Sequence, residues 1–289
     1  MILYKYHGAG NDFLIGDDRK GEFRLSKEDI ARLCNRRTGL GADGLMLLEK
    51  SEVADFRMLY YNSDGSGGMM CGNGGRCMVA FAADMGYESF YFEAPDGLHD
   101  AVLLAGTGLQ LENNSVISAG REKDKVVRLK MKDVPSYGAK GLEEYFLDTG
   151  TRHLVKFVRG LETYDVVGEG RVLRNDARFA PVGTNVNFIE ILADTPCAAD
   201  GAFQIRTFEK GVEDETLACG TGIVASALSV HAHLGDASKE NKDVSYEVGA
   251  RISHLQVDFT SRCINGVYSA ENVWLTGPAT YVARIEVDL

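Results

Sequence analysis

Two short segments carry residues that can do chemistry. Cys71-Gly72-Asn73-Gly74 and Cys219-Gly220-Thr221-Gly222 share a Cys-Gly-x-Gly core, one in each half of the chain. Each core leads into an apolar, Ala-rich run that stops at a glycine, Gly86 in the first case and Gly235 in the second. The pattern predicts helices over about Gly72–Met85 and Gly220–Leu234, each opening on a cysteine and closing on a C′ glycine. A thiol at a helix start is favoured as thiolate, because the unpaired N–H groups and the macrodipole stabilise the anion. The same N–H groups can cradle a carboxylate. Two such helix starts facing each other would clamp a carboxylate with a sulfur on either side. The chemistry that follows is inversion of a carbon next to that carboxylate.

The elements around these segments are mostly short strands. Ile2–Tyr6 reads as a strand, followed by a turn-like run from His7 to Asp12. Ser26 is placed to cap a helix through about Arg37, with Ile30, Leu33 and Cys34 on one face. Gly39–Gly44 matches GxGxxG, but it follows a helix and enters a strand, the reverse of the dinucleotide-binding context, so it reads as a glycine-rich turn. Strands are expected over Leu45–Glu49, Asp55–Asn62, Ser89–Glu93, Ala101–Ala105, Leu109–Glu112 and Val126–Met131. The polar stretch Asn113–Asp124 is a candidate crossing between domains. The second half continues with strands over Glu144–Asp148, His153–Val158, Thr184–Leu192 and Ala202–Phe208, and a short helix within Tyr164–Asn175. Strands near Val244–Val248, Leu255–Phe259, Val273–Leu275 and Tyr281–Val287 finish the chain.

The order strand, Gly/Asp-rich loop, Cys-Gly-x-Gly, helix, strands occurs twice, which reads as one internal duplication rather than a solenoid. The expected fold is α+β: two pseudo-symmetric lobes, each a mostly antiparallel sheet curled around a central helix. The expected division is 1–116, completed by strands in 272–289, and 117–271.

At 289 residues the chain is long enough for two lobes with cores of their own. A net charge of −11 argues against nucleic-acid or anionic-membrane partners. No apolar run reaches the roughly 18 residues of a membrane helix, and Met1–Tyr6 lacks signal-peptide character, so a cytoplasmic location with reduced thiols is expected. The six cysteines include no CxxC pair, which argues against zinc. Cys34, Cys77, Cys197 and Cys263 read as buried apolar fillers. Cys71 and Cys219 stand apart because both sit at matching, glycine-flanked helix starts.

Over nearly its whole length the chain resembles the diaminopimelate epimerase family. The resemblance rests on Tyr6–Phe13, Arg37–Asp43, Asn62–Ser66, both cysteine motifs and Leu275–Pro278, all in family order. It implies a cofactor-independent and metal-free epimerase interconverting LL- and meso-2,6-diaminoheptanedioate, for lysine and peptidoglycan precursors. It also implies that Cys71 and Cys219 act as a thiol and thiolate pair on opposite faces of the α-carbon. By the same resemblance the backbone N–H groups of Gly72, Asn73, Gly220 and Thr221 hold the reacting carboxylate. Asn11, Asn62 and Glu209 bind polar groups of the substrate, Asn185 its far end, and His153 lies near a catalytic cysteine. The implied partner is a small diamino dicarboxylate; assembly is left open, with a homodimer as one form.

The chain departs from the family pattern at three places. Glu-Arg-Gly before the second cysteine reads Glu209-Lys210-Gly211, Gly-Asn-Pro-His reads Gly150-Thr151-Arg152-His153, and a glutamine after Ala42-Asp43 is Gly44. Two of these touch the end that binds the distal carboxylate. Lysine keeps the charge there but loses the two-pronged geometry, so Arg152 or Lys210, with Thr151 beside them, is expected to serve that carboxylate. A racemase of the proline or hydroxyproline type is the alternative with the same cysteine pair.

Overall fold

A computed structural model describes residues 1–104, 108–110, 116–118, 124–138, 140–192, 200–235 and 241–288. Cys197 and most of Asn113–Asp124 lie outside the described residues. The chain forms two compact units: Met1–Leu109, Ser118–Leu129 and Gly277–Leu289 make the first, and Gln110–Ile117 with Lys130–Thr276 the second.

The first unit contains β1 (Ile2–Gly8), β2 (Asn11–Asp17), α1 (Lys27–Cys34), β3 (Gly44–Glu49), β4 (Phe56–Asn62), α2 (Gly72–Asp84), β5 (Tyr91–Ala94) and β6 (Gly97–Leu104). Short β7 (Gly108–Gln110) and β8 (Val116–Ser118) pair with each other. β9 (Lys125–Lys130) then pairs with β6. The second unit contains β10 (Val134–Tyr137), β11 (Glu144–Asp148), β12 (Arg152–Phe157), α3 (Val166–Arg174), β13 (Asn185–Ile191), β14 (Gly201–Glu209), β15 (Asp214–Thr216), α4 (Gly220–Leu234), β16 (Lys242–Ala250) and β17 (Ser253–Ile264). β18 (Val267–Glu286) pairs with β17 through Thr276 in the second unit and with β1 from Thr280 in the first.

The pairing pattern repeats. β1–β2 is antiparallel, β2–β3 parallel, β3–β4 antiparallel, β4–β5 parallel and β5–β6 antiparallel. The series β11–β12–β13–β14–β16–β17 alternates in the same way. Parallel neighbours need a crossover. α1 and α2 lie within the first unit's two crossovers, and α3 and α4 within the second's. This is the signature of the duplication, written in strand direction rather than in residue identity.

In each unit the repeated strand series has a helix on either face. β3 is buried along nearly its whole length, which side-chain alternation requires of a strand covered on both sides. Leu45 and Leu47 pack with Ile30 and Leu33 of α1, while Met46 points to the first turn of α2. In the second unit Leu154, Val186, Phe188 and Phe208 pack with Val166 of α3. Alternation therefore turns His153, Asn185, Asn187 and Thr207 to the opposite, α4 face. α2 is buried from Gly72 to Ala82, its Asn73 and Arg76 included, and the largely apolar α4 is buried over most of its length.

Several expectations need correction. Only Ala9 and Gly10, with φ of 55° and 92°, form the turn after β1, and Asn11 already pairs with Gly8 as the start of β2. Ser26 does cap α1, in a reciprocal box with Asp29, but the helix ends at Cys34. Asn35 is extended there, and its side chain accepts the N–H groups of Arg37 and Thr38 at 2.9 Å each. The two last expected strands are one. Pro278 does not break β18 because it falls between the stretch paired to β17 and the stretch paired to β1, where no ladder donor is required. β8, which falls within the expected polar crossing, β10 and β15 were not expected.

Candidate active site

In the first unit Cys71 is the N-cap of α2, with φ −121° and ψ 152°. Its Sγ accepts the Gly74 N–H at 3.2 Å, the place a serine or aspartate oxygen takes in most caps. Close approach of β1 to this turn depends on Gly8, where a Cβ would sit 2.8 Å from the Asn73 carbonyl oxygen. Asn11, at the start of β2, donates its amide to Asp43 at 2.6 Å, and its Oδ1 lies 3.9 Å from the Cys71 sulfur.

Asp43 belongs to a charged cluster that sequence reasoning missed. Arg36 bridges Asp12 and Asp43 at 2.6 Å each, and Lys5 lies 2.9 Å from Asp12. Burial pushes the Asp12 carboxyl up, but Arg36 and Lys5 outweigh it and hold it below the usual carboxylate range. Asp12 and Asp43 lie within recognisable motifs, yet nothing in the sequence pairs them across 31 residues. The cluster fixes which way the Asn11 amide points. Asn62, the last residue of β4, donates to Ser66 Oγ at 3.0 Å and closes the following loop.

In the second unit Cys219 is the N-cap of α4 but makes no side-chain cap bond. Its Sγ lies 3.5 Å from the Thr221 hydroxyl. That hydroxyl is 3.1 Å from Thr151 Oγ1 and 2.9 Å from His153 Nε2. On the far side of the ring, Asn187 donates to His153 Nδ1 at 3.1 Å and to the Leu154 carbonyl at 3.2 Å. An amide donor at Nδ1 makes Nδ1 the acceptor, so the ring proton is on Nε2 and points to the threonine hydroxyls. Desolvation pushes the buried His153 down to about 3, against a weaker opposing pull from Asp148. The imidazole is therefore neutral, a donor that orients hydroxyls rather than a base.

Asn187 was not foreseen, nor was the demand on Gly222. A Cβ at Gly222 would collide with Asn187 Oδ1 and come within 3.2 Å of His153 Cε1. Glycine there lets α4 rest on the polar floor of β12 and β13.

Asn185 is 7% exposed and joins three segments. Its amide nitrogen donates to the Arg152 carbonyl at 3.1 Å and Thr151 Oγ1 at 3.4 Å, and its Oδ1 accepts the Lys210 N–H at 2.9 Å. One side chain thus fixes the backbone under both candidate cations. Arg152 and Lys210 are exposed, and among the described residues neither has an ion-pair partner. Glu209, beside Lys210, accepts the Thr216 hydroxyl at 2.8 Å. Cys71, Asn11, Gly72 and Asn73 thus gather in the first unit, and Cys219, Gly220, Thr221, Thr151, His153 and Asn185 in the second.

Residues 3–104 and 145–271 match the family model for diaminopimelate epimerase. The chain belongs to that family. It is 42% identical to a diaminopimelate epimerase of Chlorobaculum tepidum, over 98% of this chain and 99% of the relative. It is 40% identical to one of Flavobacterium psychrophilum, over 98% of each. Among solved structures it is similar to a PhzF-family phenazine biosynthesis protein of Bacillus anthracis, with a TM-score of 0.70 at 16% identity, over 100% of this chain and 99% of the other. It is also similar to a hydroxyproline epimerase of Agrobacterium vitis, with a TM-score of 0.59 at 17% identity, over 99% and 91%. Likeness at that identity carries the fold alone. The family fold is the α+β, two-lobed one expected from the duplicated cysteine motif. No described helix is long and apolar enough to cross a membrane.

Proposed function

We propose that this chain is an isomerase that interconverts LL- and meso-2,6-diaminoheptanedioate by two-base proton transfer between Cys71 and Cys219. The observation that carries the proposal is the pair of cysteines at the N-caps of helices in equivalent crossovers of a duplicated fold. Near-full-length identity to diaminopimelate epimerases supports the choice of substrate.

One cysteine, as thiolate, takes the α-proton; the Cα–H bond breaks and an S–H bond forms. The other, as thiol, gives its proton to the opposite face and is left as thiolate. The reverse reaction uses the same groups with roles exchanged. The α-hydrogen of an amino acid is a weak acid, so the developing charge needs fixed donors in a site shielded from water. The N–H groups of Gly72, Asn73, Gly220 and Thr221 are the candidates, acting on the reacting carboxylate. Asn11, Asn62 and Glu209 bind its neighbouring polar groups.

The distal carboxylate falls to Arg152 or Lys210, whose backbones Asn185 holds. Thr151, Asn185 and His153 complete that end by ordering hydroxyls. Incubation of the reduced protein with the LL isomer, followed by chromatographic detection of the meso isomer, tests the proposal. Proline and hydroxyproline serve as parallel substrates. Inversion of either, with diaminopimelate untouched, would replace the proposed substrate.

A further inference from the structure

Arg76 is a buried charge that the proposed reaction does not use. It lies on α2 with 0% of its surface exposed. Its donors all go to neutral oxygens: the Gly72 carbonyl at 3.2 Å, Asn73 Oδ1 at 2.8 Å and the Pro278 carbonyl at 3.4 Å. Among the described residues no carboxylate pairs with it. A guanidinium buried without an anion is costly, because solvation is lost and no opposite charge replaces it. Desolvation pushes it down to about 10, opposed by the Cys77 and Cys71 sulfurs, so it remains cationic at neutral pH.

The duplication shows that the fold does not require this charge. Counting from each cysteine, the counterpart of Arg76 is Val224, also fully buried. The same helix in the same crossover is satisfied by an apolar residue in the second unit. Something specific to the first unit must offset the cost.

Other anions nearby are already committed. Asp12 of β2 is held by Lys5 and Arg36. Asp84, at the far end of α2, accepts from Tyr6 and Lys125. His99 of β6 pairs with Asp96. β3 and β9 meet the helix with apolar Met46 and Leu129. Cys77 is wholly buried, which pushes its thiol far up and keeps it protonated. Cys71 remains, one turn from Arg76, with its sulfur already accepting the Gly74 N–H.

We propose that Arg76 is the buried counter-charge of Cys71 and holds its sulfur as the thiolate in the resting protein. Arg76 is a positioning residue, since it has no surface on which to touch a substrate. It acts through two routes. One is direct attraction in a medium that screens weakly. The other is positional: Arg76 ties the Gly72 carbonyl and Asn73 Oδ1, and so fixes the turn whose Gly74 N–H donates to the sulfur. Asn11 Oδ1, 3.9 Å from the sulfur, is a contact that favours the thiol, and its length makes it weak.

The inference rests on the proposed role of Cys71 only for its catalytic consequence. Its test therefore reads the thiol without substrate, and inactivity toward diaminopimelate would leave it standing. The full-length reduced protein is alkylated with iodoacetamide across a pH series, and modification at Cys71 and Cys219 is quantified separately by peptide mass spectrometry. The Cys71 midpoint is expected about one unit or more below the ordinary thiol value of about 8.5. Arg76→Gln raises it by about one unit or more, and Arg76→Lys restores most of the difference. The Cys219 midpoint stays in place in all three proteins. A structural role would instead make the Lys and Gln variants fail alike and move both cysteines. A wild-type Cys71 midpoint at or above the ordinary value overturns the inference, whether or not the variants fold. So does an unmoved midpoint in a folded Arg76→Gln protein.

Discussion

The two cysteine sites occupy equivalent positions in a duplicated strand pattern, yet their surroundings differ in kind. Around Cys71 the sulfur receives a backbone N–H, a wholly buried arginine lies one turn along the helix, and the sheet beneath is apolar, with Phe13 and Met46 against Gly74. Cys219 makes no side-chain cap bond to its helix. A threonine hydroxyl takes that place, backed by a neutral histidine and an asparagine. Register makes the comparison direct. Phe13 pairs with Gly44 and Gly44 with Asn62, while His153 pairs with Asn185, beside Glu209 at the end of the next strand. Duplication supplied two helix starts capped by cysteine, and substitution along the first helix and beneath the second gave one a charged and the other a neutral neighbourhood. A backbone pair alone would give two thiols of similar acidity. Thiols of unequal acidity give a resting state with one base and one acid already assigned.

The comparison breaks most sharply at the sulfurs. Cys71→Ala and Cys219→Ala are each expected to lower inversion by about 10³-fold or more, as loss of an acid–base group does. Near-normal turnover in either variant would show that the two sites are not partners. Gly222→Ala comes next. It drives a methyl into Asn187 and His153, so it should cost about 1–3 kcal/mol in urea unfolding and most of the activity. Gly222→Ala with wild-type stability would mean that α4 does not rest on that floor.

Acid sharpens the contrast further. His153 has a folded pKa of about 3, depressed from 6.5. Its neutral form is thus fully favoured above pH 6.5, and stability is lost as pH falls from there toward 3, because the unfolded chain binds the proton first. His153→Gln should flatten that loss in a series of melting temperatures, while Cys71→Ala should leave its shape unchanged. The smallest effect belongs to the exposed cations. Removing Arg152 and Lys210 together is expected to raise KM for diaminopimelate about tenfold or more with little change in kcat. A single variant whose KM is unchanged takes that residue out of the distal subsite.

Much of this was legible in the sequence, and the rest was hidden for definite reasons. The limits of α4 follow from Cys219 and Gly235, because capping chemistry is local. The fold class follows from repetition of one motif. β2 was missed because Gly8–Asp12 carries turn residues that in fact close a two-residue hairpin. The Asp12–Arg36–Asp43 cluster and the His153–Asn187 pair were missed because Asp12 lies 24 residues from Arg36 and 31 from Asp43, and His153 34 from Asn187, separations that leave no periodic trace. Arg76 lay in plain view within the first cysteine motif. Only its burial, set against Val224, gives it a meaning.

The central claim is that two sulfurs serve one carbon from opposite faces. Its most direct measurement is the isotope content of substrate and product early in the reaction of the LL isomer in deuterium oxide. Two bases predict meso product carrying deuterium at the inverted carbon while the recovered LL isomer remains protiated. Meso product that keeps its original protium would mean that one group serves both faces, and the paired-sulfur account would not survive it.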